Sequence, residues 1–354
     1  MLKDALDLIN ARNQGDLLKV ALWLQSRTHV DERISGLKTI LKDKPKCAAI
    51  HYLALNGPIN MVEMALRLGS DINTRDSLGY TPLHHACASF GSTTEMVSFL
   101  LNNGADVNAV GNHGTTPLHV ACRYTEVGII DTLIKHGSRV DVCDVRGDQP
   151  IHIATHAGDM AMVSALLDYG ADVNAVARKS LVTPLYVALS RRQIEMARLL
   201  VSRGAKTNLV TSHGVTPLMC ALHINLNIID ELGLCTPSII NAQNDKGDTA
   251  LHIAVSSGYV DRVEYLLKHG SDPNGKNNDG NTPLHLVASQ GNQRILKLLL
   301  QAKSDPNIRN NKGKTPLNVA RSGGFDYIMV NMVTMHELRK IPLFSHPLIT
   351  RTMA

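Results

Sequence analysis

Nine residues reading "GYTPLHHAC" at 79–87 return as "GTTPLHVAC" at 114–122, "GDQPIHIAT" at 147–155 and "GVTPLMCAL" at 214–222. "GDTALHIAV" at 247–255, "GNTPLHLVA" at 280–288 and "GKTPLNVAR" at 313–321 continue the series, while "LVTPLYVAL" at 181–189 has lost the leading glycine. The threonine, or Gln149 in its place, stands at 81, 116, 149, 183, 216, 249, 282 and 315, so most steps are 33 residues and none exceeds 35. Ala48-Ala49-Ile50-His51 lies 33 before Thr81 and reads as a worn earlier copy. A second block, "LLNNGADVNAV" at 100–110, keeps the same step as "LLDYGADVNAV" at 166–176 and "LLKHGSDPNGK" at 266–276. Units of this size cannot bury an apolar face alone, so copies must stack on one another.

The last copy contains Gly313-Lys314-Thr315, the ending of a phosphate-binding loop. The loop pattern G-x-x-x-x-G-K-[ST] needs a first glycine five residues before Gly313, where Ile308 stands, and Pro316 interrupts the helix that should follow. The triplet is one copy's variable position, and no nucleotide site follows from it.

Within each copy the apolar period changes. Leu83/Ala86, Leu118/Ala121 and Leu251/Ala254 mark one stripe of a short first helix, with proline in its first turn where the missing N–H costs nothing. Gly91, Gly158, Gly258 and Gly291 then break the chain. Val97/Leu100/Leu101 and Val163/Leu166/Leu167 fall at i, i+3, i+4 spacing on a second helix, which a left-handed glycine ends. An extended finger, "ADVNA…DxxG", reaches to the next copy.

A period of 33 on T-P-L-H-x-A resembles the ankyrin-repeat family, from about residue 43 to about residue 336. The resemblance implies an all-α solenoid of stacked helix-turn-helix repeats with β-hairpin finger loops. Nine copies are expected in 43–336, the first degenerate. Residues 1–42 should form a helical cap, with Val20, Trp23 and Leu24 in second-helix register, and a charged loop; 337–354 form a tail outside the pattern. Two copies depart. Arg192 stands where a turn glycine belongs, and copy 211–243 lacks its turn glycine, with Pro237 at the cap position and Ile239 at the finger aspartate. These substitutions predict a weak point at 211–243 that lets 43–210 and 244–336 unfold separately.

Aromatic residues make up only 4% of the 354, against 44% hydrophobic, which suits closely stacked helices packed through Leu, Val, Ile and Ala. The formal net charge of +5 is a mild excess, without the clustered basic and stacking residues of a nucleic-acid surface. Cys47, Cys87, Cys122, Cys143, Cys220 and Cys235 show no C-x-x-C and no pairing, which points to a reducing compartment. Asp4 and Asp7 interrupt the first apolar stretch, so neither a signal peptide nor a membrane span is expected. A cytoplasmic protein, also nuclear in part, is the expectation.

Histidines at 51, 84, 119, 152, 252 and 285 recur at one repeat position. Helices about 8–10 Å apart cannot bring them to one metal ion, whose ligands lie about 2.0–2.1 Å away. The resemblance implies a hydrogen-bonding strut between neighbouring loops. Aspartates at 71, 106, 172, 272 and 305 share one finger position and read as turn-formers. No catalytic motif stands in the chain, and no cofactor or metal is implied. Asn108 and Asn174, each in "L-x5-ADVNA", are similar to family asparagines hydroxylated by an oxygen-dependent asparaginyl hydroxylase. Bonding to the finger backbone would account for them by itself.

Family members meet partners through the finger tips and the exposed end of the first helix. Carried over by register, Leu78, Tyr80, His113, Thr115, Arg123 and Tyr124 fall in copies two and three, beside Asn112. Arg146, Asp148, His156, Lys179 and Arg191 continue the strip, beside Val145 and Ser180. Four cations against Asp148 leave that strip positive, so the expected partner is another protein with an acidic segment, bound by a chain that is monomeric by itself. A non-catalytic scaffold or adaptor is the reading. The substrate receptor of a ubiquitin ligase and an enzyme with an unrecognised site stand as alternatives. The short tail lacks the cysteine of the family's ligase-recruiting box, which counts against the receptor.

Overall fold

A computed structural model describes residues 47–67, 70–88, 94–124 and 127–325. The cap expected in 1–42, Gly91, the second helix of the ninth copy and the 337–354 tail lie outside the described residues. The chain divides into two compact units, Met1–Lys179 and Ser180–Ala354.

In the first unit the described helices come in four pairs. They are α1 (Cys47–Asn56) with α2 (Ile59–Arg67), α3 (Pro82–Ala86) with α4 (Thr94–Asn102), α5 (Pro117–Tyr124) with α6 (Val127–Lys135), and α7 (Pro150–Ala157) with α8 (Met160–Asp168). First helices stack on first helices, α3 between α1 and α5 and then α7 on α5, and second helices line up beside them. The worn copy is a real one: α1 holds Ile50 and His51 buried. The second unit repeats the arrangement with α9 (Pro184–Ser190), α10 (Ile194–Ser202), α11 (Pro217–Ala221), α12 (Leu226–Glu231), α13 (Ala250–Ser256) and α14 (Val260–Lys268). It ends with α15 (Pro283–Gln290), α16 (Gln293–Gln301) and the first helix of a ninth copy, α17 (Pro316–Gly323). The core is the predicted stripe: Leu83, Val97, Leu118, Ile130 and Val163 in the first unit, Leu218, Leu251, Val263 and Leu299 in the second, all wholly buried.

Most first helices begin in the same way. The N-cap threonine lies extended, as at Thr81, Thr249 and Thr282, and its N–H donates to Nδ1 of the histidine three residues on. The distances are 3.0 Å at Thr81–His84, 3.2 Å at Thr116–His119 and Thr249–His252, and 3.1 Å at Thr282–His285. An Nδ1 that accepts leaves the proton on Nε2, which donates to the next finger. The acceptors are the carbonyls of Thr115 at 3.0 Å, Asp148 at 3.1 Å, Asn281 at 3.0 Å and Lys314 at 3.0 Å. The strut expected from the resemblance is therefore present and fixes one neutral tautomer. Burial lowers all four histidines, His84 to about 4.

The fingers are hairpin-shaped turns closed by backbone bonds such as Gly111 N–H to Thr115 O and Gly114 N–H to Gly111 O, both at 2.9 Å; no β-sheet beyond an isolated bridge at 177 and 182 forms among the described residues. A carboxylate or amide organises the turn from within. Asp144 Oδ1 accepts from the N–H groups of Arg146 at 2.8 Å and Asp148 at 3.0 Å, and Asn277 does the same for Asp279 and Asn281. Finger bonds finger by the backbone, as in Val145 N–H to His113 O at 3.0 Å and Asn311 N–H to Asp279 O at 3.0 Å. The turn glycine permits that approach: at Gly147, with φ +89°, a Cβ would sit 2.4 Å from the Arg178 nitrogen.

The departing copies keep the geometry through other residues. Leu181 and Arg192 adopt the left-handed conformation in place of glycine, at φ 50° and 58°. Copy 211–243 has not lost its cap: α12 is six residues instead of the nine of α10, and Gly233, at φ 60°, follows its end four residues before the register position of Pro237. Asn225 caps its start, accepting the Ile228 N–H at 2.9 Å. The missing turn glycine is offset from the next copy, where Arg262 donates to Leu222 O at 2.8 Å and Ile224 O at 3.4 Å. Ile228, Ile229, Leu232 and Leu234 are buried, and α11 packs between α9 and α13. These contacts hold the copy expected as a weak point, and the chain's division into compact units falls between Lys179 and Ser180.

Candidate protein-binding face

The first unit's finger tips and inner helices enclose a groove of about 400 Å³. Five of the residues carried over by register line it: Leu78, Tyr80, Thr115, Arg123 and Tyr124. Leu78 is 49% exposed and Tyr124 40%. The Arg123 guanidinium stands 6.0 Å from the centroid of the Tyr124 ring at the end of α5. Tyr80 lies stacked on His84, centroids 4.8 Å apart with 7° between the rings. Thr115 is half-buried, its carbonyl taken by His84.

The floor and one wall come from residues that the register argument passed over: His85, Ala88, Val120 and Ile153. His85, Val120 and Ile153 share the fourth position after the threonine, where other copies carry Val187, Ile253 and Leu286. A histidine at a position that most copies give to an aliphatic residue was the available signal. Its Nε2 donates to Asp76 Oδ2 at 2.8 Å, and its ring meets His51 edge to face at 5.0 Å. Burial pushes the Asp76 carboxyl up, yet the bonds from His85 and from the Tyr80 and Leu78 N–H groups outweigh it and hold it below its usual range. The wall is therefore fixed before any partner arrives.

Other carried-over residues lie outside the groove. His113, Arg146 and Lys179 are exposed on fingers, Asp148 is half-buried beneath its finger, and His156 is exposed in the last turn of α7. Asn112 is partly committed, its Nδ2 donating to Ser77 O at 3.0 Å, whereas Val145 is 50% exposed. Arg191 and Ser180 belong to the second unit, so the single strip drawn from the sequence divides: its first-unit cations are Arg123, Arg146 and Lys179. Among the described residues no ion pair holds any of these three.

Asn108 spans two copies, its Nδ2 donating to Gly137 O at 2.9 Å and its Oδ1 accepting from the Arg139 N–H at 2.9 Å. Both ends of its amide serve the stack. Asn174 donates its N–H to Asp172 Oδ1 at 2.9 Å. Cys87 and Cys122 are buried and burial pushes both thiols up, which suppresses thiolate chemistry. Among the described residues no group of three or more His, Cys, Asp or Glu could hold a metal, and no helix is long and apolar enough to cross a membrane.

Paired helices joined by exposed fingers, stacked through a shared histidine strut, define a repeat protein that works by surface. Models of ankyrin repeats match residues 50–144, 125–211, 269–331 and 232–287, and the chain belongs to the ankyrin-repeat family. It is similar to a putative ankyrin repeat protein of fowlpox virus, 39% identical over 93 residues, 25% of this chain and 27% of that protein. Mouse protein phosphatase 1 regulatory subunit 27 is 36% identical over 77 residues, 21% of this chain and 44% of the relative. Rat NF-kappa-B inhibitor alpha is 34% identical over 98 residues, 26% and 31% of the two chains. The chain thus spans less than half the length of each of these relatives.

Proposed function

We propose that the chain is a non-catalytic scaffold or adaptor that holds a partner protein, through an acidic segment, against the fingers and inner helices of its first unit. The observation that carries this reading is the uneven placement of exposed apolar side chains. Leu78, Val110, Tyr124, Val145, Met160, Tyr169 and Val176 are exposed on that unit, against Leu181 and Val210 on the described part of the second. Three cations without ion-pair partners among the described residues border the same surface and favour an acidic segment over a basic one. Two relatives, a regulatory subunit and an inhibitor by name, support a role exerted on another protein. The buried, protonated thiols suit the reducing cytoplasm.

The test compares full-length Arg123→Glu with Arg146→Glu against a control pair on the outer face, Arg294→Glu with Lys297→Glu. Arg262 is no neutral control, because it holds the carbonyls of Leu222 and Ile224. In affinity capture with quantitative mass spectrometry, the first pair should lose the partner by about tenfold or more, with wild-type binding itself weakened by salt. Equal capture by both folded pairs places the interface elsewhere.

A further inference from the structure

We propose that the groove of the first unit is an anchor site for one bulky apolar side chain of the partner, and that Arg123 at its rim binds a carboxylate adjacent to that side chain. This rests on the reading of the face as a protein-binding surface and names the chemistry that reaches it.

One small residue stands in the lining of the groove. Ala88, in the turn after α3, holds the seventh position after the threonine. The same position is Arg123 in the next copy and His156 in the one after, then Ser190, His223, Ser256, Ser289 and Ser322 in the second unit. The alanine lines the groove together with Val120 and Ile153, and so does the arginine of the following copy. At about 400 Å³ the space lies near the lower end of the roughly 300–1,000 Å³ of small-molecule pockets, enough for one large side chain and too little for a helix.

Its walls are held rigid. Tyr80 stacks on His84, whose Nε2 is bonded to Thr115 O, and Tyr80 meets His85 edge to face at 6.2 Å. His85 is tied to Asp76. An incoming group therefore orders few side chains, which is the condition for a strong anchor. Buried Val120 and half-buried Ile153 offer no hydrogen bond, so a polar side chain would lose its water without compensation there.

The rim selects charge. Arg123 has no ion pair among the described residues, and its guanidinium lies beside Tyr124, an arrangement that favours a flat, bidentate acceptor. Asp144, the carboxylate that lines the groove, already accepts two backbone N–H groups through Oδ1, one of them from Arg146 on the same finger. A basic neighbour to the apolar anchor would meet Arg123 and Arg146, whereas an acidic one meets both favourably. In the second unit the finger tips carry Asp245 and Asp279 beside Lys246 and Lys312, and a serine or His223 stands at the position of Ala88.

The experiment pans a random displayed-peptide library on the full chain and measures the enriched peptides by fluorescence anisotropy. The expected peptides share Leu, Ile, Met or Phe next to Asp or Glu. Their binding should fall by about tenfold or more in Ala88→Trp, which fills the groove, and in Arg123→Glu. Ala88→Arg, which copies the next repeat's residue, serves if the tryptophan shifts the thermal transition. Enriched peptides without the apolar–acidic pair, binding indifferent to both position-88 variants, or no enrichment overturns the proposal. If cellular partner capture falls with the Arg123/Arg146 pair while Ala88→Trp captures normally, the anchor is wrong and the binding face stands. If the Arg123/Arg146 pair has no effect either, the face itself is wrong.

Discussion

Leu181 stands where seven other copies carry glycine with positive φ, and at φ 50° it adopts the same backbone. Left-handed backbone costs a residue with a Cβ about 1–2 kcal/mol, and glycine returns about 0.5–1 kcal/mol of that through the entropy of its unfolded chain. The first term is larger. Leu181 is 44% exposed, so little buried contact is lost on replacing it. Leu181→Gly, and likewise Arg192→Gly and Lys303→Gly at φ 58° and 66°, should each stabilise the chain by about 0.5–1 kcal/mol in urea titrations. Unchanged or lower midpoints for all three would show that the strain is relieved elsewhere.

At the scale of elements, the threonine–histidine cap joins local and long-range order. One ring starts a helix through Nδ1 and holds the next finger through Nε2, so a charged imidazolium would forfeit the cap. Because burial lowers the folded histidines below the ordinary 6.5, the unfolded chain binds protons first as pH falls. Their contribution is fully present above pH 6.5 and is lost as pH falls from there toward about 4, the value to which His84 is lowered. Asn318 shows what remains without the ring: its Oδ1 accepts the Thr315 N–H at 3.0 Å and keeps the cap of α17. His285→Asn should therefore keep the helix start and lose the bond to Lys314 O, costing about 1–3 kcal/mol near neutral pH. It should also flatten the pH dependence of the urea midpoint between 6.5 and 4 relative to wild type. An equally steep profile in the variant would assign the acid sensitivity to other groups.

For the whole molecule, the question is how a divergent copy survives. Copy 211–243 is completed by Arg262 from the next one, so its stability depends on a residue 40 positions from Leu222. Arg262→Ala leaves two carbonyls without that donor and should cost about 1–3 kcal/mol. Hydrogen exchange followed by mass spectrometry should show wild-type protection over 217–240 comparable with 184–202 and 250–268, and a selective drop over 217–240 in the variant. Weak protection of 217–240 in the wild type would restore the break expected from its sequence.

The repeat itself was fully legible in the sequence, because a period of 33 with proline, histidine and glycine at set places dictates helix starts, stops and buried stripes locally. So was the strut of His84, His119, His252 and His285, once the family resemblance was seen, because each copy repeats the same geometry. What the sequence concealed lies between copies. The cap at Gly233 was hidden because a shorter helix moves the glycine out of register, and Arg262 was hidden because its acceptors belong to another repeat. The groove was half visible: Leu78, Tyr80, Thr115, Arg123 and Tyr124 follow from register, but Ala88, Val120, Ile153 and the His85–Asp76 wall form a surface only when three copies stack. Local chemistry sets the backbone of one repeat, while the groove and a borrowed hydrogen bond depend on distances between copies, which only the tertiary structure decides.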